Sequence, residues 1–181
     1  MYYCYSTEYK PPIGLVTVAS DGERIVGLWM ERQKHYPKAM SGELVKKDDL
    51  PIFKLVKRWV DRYLGGDKPL VDELPLAPEG SDFQKKVWKI LCEIPYGTYI
   101  TYGDIAKRIA TEPGKAGMYG RPVGGAVGKN PISIIIPCHR VVGSNGSLTG
   151  FGGGMEKKIW LVEHEGVDMT RLYVPTKGTA L

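Results

Sequence analysis

Long hydrophobic runs are missing from these 181 residues. No stretch approaches the roughly 18 to 20 consecutive apolar residues needed to cross a bilayer. The opening residues Met1-Tyr2-Tyr3-Cys4-Tyr5 also lack the basic and then apolar layout of a secretory leader. These two absences predict a soluble, intracellular, cytoplasmic protein without a membrane partner. Cysteine is scarce too: Cys4, Cys92 and Cys138 lie far apart and without metal-ligand spacing, which argues against a disulfide framework or a zinc knuckle. The odd number leaves room for a working thiol. Internal repeats and low-complexity tracts are absent as well.

What is present begins with charge. A net +5 suits a polyanionic partner, because neutralising phosphates releases counterions. Charge alone does not name that partner, since many basic proteins are merely soluble.

The chain reads as two small lobes of mixed α/β (α+β) class. Ile13 to Ala19 and Arg24 to Met30 are apolar and β-branched around Asp21-Gly22, the pattern of a hairpin. Ile52, Leu55, Val56, Trp59, Val60, Tyr63 and Leu64 recur at helical steps until Gly65-Gly66. Between Lys68 and Gly80 prolines and acids replace periodicity, so a linker is expected, with lobes at 1–78 and 79–181. Ser81-Asp82-Phe83-Gln84 and Thr101-Tyr102-Gly103-Asp104 are helix-start capping patterns. A short helix to about Ile109 is broken at Glu112-Pro113-Gly114, and a second is expected from about Arg121 to Val127 with Pro122 in its first turn. The pair reads as a helix-turn-helix with a long connection. Ile132 to Ile136 is expected as a buried strand or extended run, Gly143 to Gly154 as a loop, and Met155 to Glu165 as the last helix.

Pro137-Cys138-His139-Arg140 sets a thiol beside an imidazole and a guanidinium. Positive surroundings lower a thiol's pKa and make it a nucleophile. On an extended chain neighbouring side chains diverge, so His139 is expected to reach Cys138 through a bridging water, with Glu165 orienting the ring. A cysteine after an apolar strand is equally often a small buried hydrophobe, and the local residues favour neither reading. His35 and His164 lack a partner pattern and read as structural or solvated, and Cys4 and Cys92 as packing residues.

Ile136-Pro137-Cys138-His139-Arg140-Val141-Val142 resembles the signature of the O6-alkylguanine-DNA alkyltransferases. Supporting blocks follow in order and spacing: Phe83 to Leu91, Pro95-Tyr96-Gly97, Thr101 to Ala106, Arg121 to Ala126, Asn130-Pro131 and Trp160 to Gly166. The resemblance covers roughly residues 81 to 166, while the first lobe matches only in layout.

The resemblance implies a small ribonuclease H-like sheet-and-helix lobe followed by a helical lobe with a helix-turn-helix. It implies single-use repair of double-stranded DNA containing O6-alkylguanine, with no cofactor, no obligate protein partner and a monomeric protein. Cys138 would take the alkyl group irreversibly. His139 and Glu165 would relay its proton, Asn130 would hold the neighbouring turn, and Tyr102 would donate to guanine N3. Arg121 would fill the gap left by a flipped nucleotide, and Gly124, Gly125 and Ala126 would let their helix approach DNA closely, although tight packing within the protein explains small residues too. Val141 and Cys138 would offer carbonyls to the guanine amine, with Phe151, Gly152 and Lys158 lining the pocket. Phe151 departs from the tyrosine common there, and Pro122 beside Arg121 is also unusual. Some relatives bind zinc in the first lobe; Cys4 and His35 lack the other ligands, so no metal is expected. Two rivals remain. A noncatalytic lesion-binding relative would carry tryptophan at position 138, and a cysteine hydrolase would turn over repeatedly.

Overall fold

The computed structural model of the chain describes residues 1–34, 44–110 and 116–176. In the N-terminal lobe β1 (Tyr2–Glu8), β2 (Leu15–Ser20), β3 (Ile25–Met30) and β4 (Leu44–Lys46) form one sheet in the order β3-β2-β1-β4. The β2–β3 pair is the antiparallel hairpin read from the sequence, and the carboxylate of Asp21 closes its turn by accepting from the amides of Glu23 and Arg24. β1 had no clear period in the sequence. It pairs antiparallel with β2 and parallel with β4, so its place is settled by its neighbours.

Helix α1 (Pro51–Leu64) covers one face of this sheet. Its apolar stripe buries Ile52, Phe53, Val56, Trp59, Val60 and Tyr63, and Phe53 stacks on Tyr5 of β1 at 5.8 Å. The proline-rich segment after α1 is less free than a linker reading implies. The Ile25 amide donates to the Pro75 carbonyl and the Ala77 amide to the Ile25 carbonyl, which straps this segment along β3. β3 is buried along its whole length because the second lobe also bonds to it: the Leu28 amide donates to Pro131 and the Ser133 amide to Leu28. One apolar cluster runs from Ile13 of the first lobe to Leu161 of the second.

The second lobe contains α2 (Asp82–Cys92), α3 (Tyr102–Ile109), α4 (Gly120–Gly128) and α5 (Met155–His164), with a two-stranded parallel ladder of β5 (Ile100–Thr101) and β6 (Val141–Val142). Both predicted capping boxes are present, Ser81 with Gln84 and Thr101 with Asp104. The Trp88 indole of α2 donates to the Ala126 carbonyl of α4 at 2.9 Å and seats that helix. The breaker Glu112-Pro113-Gly114 and His35 lie outside the described residues.

The expected strand at 132–136 is not formed. These residues are buried but wound into turns, with the Ile135 amide donating to Ser133 and the Ile136 amide to Ile132. Ile134 sits at φ 70°, a region β-branched residues rarely enter. Apolar, β-branched composition described the burial correctly, whereas the bond to β3 and the Asn130 side chain impose the turn.

Candidate active site

Three residues from one turn and two helix ends build the site. Asn130, just past α4, spans the 132–136 turn: its Oδ1 accepts the Ile132 amide at 3.0 Å, and its Nδ2 donates to the Ile136 carbonyl at 2.8 Å and to the Cys138 sulfur at 3.1 Å. A single buried amide therefore shapes the strained turn and touches the thiol that the turn presents. Cys138–Arg140 is a 3-10 turn rather than extended chain, which spreads consecutive side chains by about 120°. Cys138 points back toward Asn130, while His139 and Arg140 both reach Glu165 at the end of α5.

Glu165 accepts from five donors. His139 Nε2 lies 2.6 Å from Oε1, and the Tyr63 hydroxyl donates to the same oxygen at 2.7 Å. Arg140 donates through Nε to Oε2 at 2.8 Å and through Nη2 to Oε1 at 3.0 Å, and the Gly97 amide reaches Oε2 at 3.2 Å. Burial would raise the carboxyl pKa, but the hydrogen bonds from His139 and Arg140 and the charge of Arg140 override it and hold Glu165 well below the usual carboxylate range. Burial also depresses His139, so the ring rests neutral. With Nε2–H on Glu165, Nδ1 is the acceptor. Nδ1 is buried, and no protein group among the described residues bonds to it.

The thiol itself corrects an expectation. Burial pushes the Cys138 pKa up, against lowering contributions from Asn130 and the Lys158 charge. Arg140 does not supply the expected activation, because its charge is spent on Glu165. Cys138 is only 5% exposed, so its resting form is the thiol. Cys4 and Cys92 are half-buried with raised pKa values, Cys92 to about 11.

Comparison with known proteins fits this arrangement. The 6-O-methylguanine DNA methyltransferase ribonuclease-like domain matches residues 2–78, and the DNA binding domain of the same proteins matches residues 82–167. The chain belongs to the 6-O-methylguanine DNA methyltransferase family. A methylated-DNA–protein-cysteine methyltransferase of Haemophilus influenzae is 43% identical over 165 residues, 91% of this chain and 86% of that protein. One of Methanosarcina acetivorans is 39% identical over 174 residues, 92% and 99% of the two chains. Among solved structures, Mycobacterium tuberculosis OGT in complex with DNA is 37% identical with a TM-score of 0.76, covering 90% of this chain and 92% of that one.

The walls around the thiol of this methyltransferase-family chain come from α3, the glycine-rich loop and α5. Tyr102 opens α3 and donates to the Thr149 carbonyl at 3.1 Å; burial raises its pKa to about 12. Lys158 is fully buried and donates to the Val141 and Thr149 carbonyls, each at 2.6 Å, with its pKa lowered by burial to about 8. Thr149 thus joins two site residues through its backbone, which no side-chain pattern announces. Gly150 is required there, since a Cβ would fall 2.3 Å from the Tyr102 hydroxyl and φ is 74°. Phe151 stands edge-on to His139 at 6.4 Å, and the Gly152 carbonyl accepts the Lys34 amide. The Val141 carbonyl is thus bound by Lys158, and the Cys138 carbonyl accepts the Val141 amide.

On α4, Arg121 and Pro122 are exposed. A Cβ on Gly124 or Gly125 would meet nothing within 4 Å, so tight packing inside the protein does not explain these glycines. Ala126 is different: it is 3% exposed and faces the core with Val123 and Val127, which corrects its placement on an open face. His164 stacks on Trp160 at 4.7 Å and bonds to the Tyr63 carbonyl, a structural role as expected. Among the described residues no cluster of histidine, cysteine, aspartate or glutamate could hold a metal, and no helix is long and apolar enough to cross a membrane. Tyr63 was legible only as part of an apolar stripe.

Proposed function

We propose that this protein repairs DNA directly, taking an alkyl group from O6 of guanine onto Cys138 in a single irreversible turnover. The observation that carries the reading is a buried thiol on a strained turn beside a neutral histidine whose far nitrogen is locked on a carboxylate. Kinship with methylated-DNA–protein-cysteine methyltransferases supports the substrate. The lobes 1–78 and 79–181 divide the work: the first buttresses the site and the second binds DNA and accepts the alkyl group. The protein acts as a monomer in the cytoplasm, on double-stranded DNA.

O6 lies inside the base stack, so the nucleotide is flipped out at a cost of a few kcal/mol, which weak pairing of the lesion reduces. Arg121 fills the gap. The thiol proton passes through a bridging water to His139 Nδ1, and Glu165 stabilises the imidazolium. Sulfur then attacks the alkyl carbon; an S–C bond forms as the C–O6 bond breaks, and the electron pair leaves with the purine. Tyr102, kept protonated by its raised pKa, moves its hydroxyl from the Thr149 carbonyl to guanine N3 and offsets that charge. The charge of Lys158 steadies the thiolate. The Cys138 and Val141 carbonyls each have a second lone pair for the guanine amine, and Phe151 and Gly152 wall the base.

Intact-protein mass after incubation with a duplex containing O6-methylguanine tests this reading. A gain of one methyl, one per chain and confined to the peptide carrying Cys138, is expected. DNA binding without any mass gain would instead favour a lesion-binding module.

The open glycine face yields a separable result. Gly125→Ala has room for its methyl group and should stabilise α4 by about 0.5–1 kcal/mol. It should nevertheless weaken duplex binding, because the added methyl group keeps the helix away from the groove. Thermal melting and a binding titration at fixed salt measure the two effects. Unchanged affinity would remove α4 from the DNA interface.

A further inference from the structure

Tyr63 closes the last turn of α1 in the N-terminal lobe and is 1% exposed. Its ring stacks on Trp59 at 5.7 Å, stands edge-on to Tyr96 at 6.0 Å and tilts against His164 at 5.4 Å. A phenylalanine would make the same ring contacts, so packing does not require the hydroxyl. A buried O–H is costly unless bonded, and this one is aimed at the relay. It donates to Glu165 Oε1 at 2.7 Å and lies 3.5 Å from His139 Nε2. Oε1 therefore accepts from His139, Arg140 and Tyr63 together, and only Tyr63 comes from the other lobe.

We infer that the Tyr63 hydroxyl is a positioning residue of the proton relay: by sharing Glu165 Oε1 with His139, it aims the carboxylate and limits how strongly the imidazole can hold the Cys138 proton. The inference rests on the proposed relay. A donor on a carboxylate oxygen draws off part of its charge, leaving less to stabilise an imidazolium on the same oxygen. Without that donor, His139 binds a solution proton more tightly and stays protonated, unable to accept from Cys138, up to a higher pH. The other titratable and charged groups facing the relay are Arg140 on the same turn as His139, Lys158 and His164 on α5, and Tyr96 after α2. Removing one hydroxyl alters none of them. Burial, with Glu165 nearby, holds the Tyr63 phenol well above its ordinary range, so it remains a donor.

The test compares the full chain with Tyr63→Phe across pH. The rates measured are Cys138 alkylation by iodoacetamide, followed on its own peptide, and single-turnover transfer from methylated duplex. The acid-limb midpoint of both profiles, which reports His139 free to accept a proton, is expected to rise by about one pH unit, the scale of a hydrogen bond to a charged group. A purely structural role would lower the melting temperature or the plateau rate and leave the midpoint in place. An unmoved midpoint in folded Tyr63→Phe overturns the inference. Should that variant fail to fold, 3-fluorotyrosine at position 63 gives the reverse test: a stronger donor should lower the midpoint, and no fall overturns the inference equally. The iodoacetamide measurement needs no DNA, so absence of methyl transfer by the unaltered protein would count against the proposed function alone.

Discussion

Cys138→Ala leaves the protein unable to gain mass from a duplex containing O6-methylguanine, at any protein excess and any incubation time. The loss is complete rather than partial because neither other thiol can substitute. Cys4 lies in β1 and Cys92 at the end of α2, both with raised pKa values and neither bonded to a relay. Duplex affinity at fixed salt should be retained, since the exposed Arg121 and the open face of α4 are untouched. The small methyl group also fits where the thiol sat, so the fold survives. Methyl transfer by this variant, detected as mass on any other residue, would defeat the assignment of the acceptor. The same assay separates a cysteine hydrolase. Alkyl transfer to the chain stops at one equivalent, whereas a hydrolase would release product repeatedly and keep its own mass unchanged.

Glu165→Gln carries the largest expected cost in stability. The carboxylate neutralises Arg140, whose Nη1 is tied at 2.6 Å to the Ile94 carbonyl and which is only 8% exposed. Removing one partner of a buried pair leaves an uncompensated charge, at a cost of about 3–5 kcal/mol. For a chain of this size that corresponds to a fall in melting temperature on the order of 10 °C. Transfer should slow as well, because His139 loses both its orienting acceptor and the charge that favours its protonation.

Acid adds a signature. The Glu165 carboxyl is held below its ordinary pKa in the folded state, so its stabilisation is complete above about pH 5 and is lost as pH falls further. His139 adds to acid sensitivity at higher pH: its folded pKa is depressed, so the unfolded chain takes up the proton first as pH falls through roughly 6.5. The variant keeps the His139 position but lacks the carboxyl. The stability gap between protein and variant should therefore be steady above pH 5 and narrow progressively as pH falls below 4, by denaturant titration at each pH. A gap independent of pH would mean that Glu165 does not act through its charge.

Much of this molecule was legible without coordinates. The α1 stripe, the β2–β3 hairpin and the capping boxes at Ser81 and Thr101 are local matters of side-chain period and backbone hydrogen bonding, which short stretches of sequence specify. Glu165 as the partner of the His139 ring could be read from residue types and from the resemblance they carry, whereas the link from His139 to Cys138 belongs to the proposed function.

Three things had to wait for tertiary structure, each because it depends on partners distant in the chain. The run 132–136 is a strained turn rather than a strand, since Leu28 of β3 and the Asn130 side chain claim its backbone groups. The thiol pKa is raised rather than lowered, since Arg140 is neutralised by a carboxylate 25 positions away and burial then prevails. Tyr63 reaches Glu165 across 102 positions, and a period of apolar residues along α1 shows that the ring is buried without showing where its hydroxyl points. The sequence by itself thus determined the α1 stripe, the β2–β3 hairpin, the capping boxes and the family, and marked Cys138 as the candidate thiol. The protonation state of that sulfur and the first lobe's reach into the relay were decided only when folding set the desolvation and charge around them.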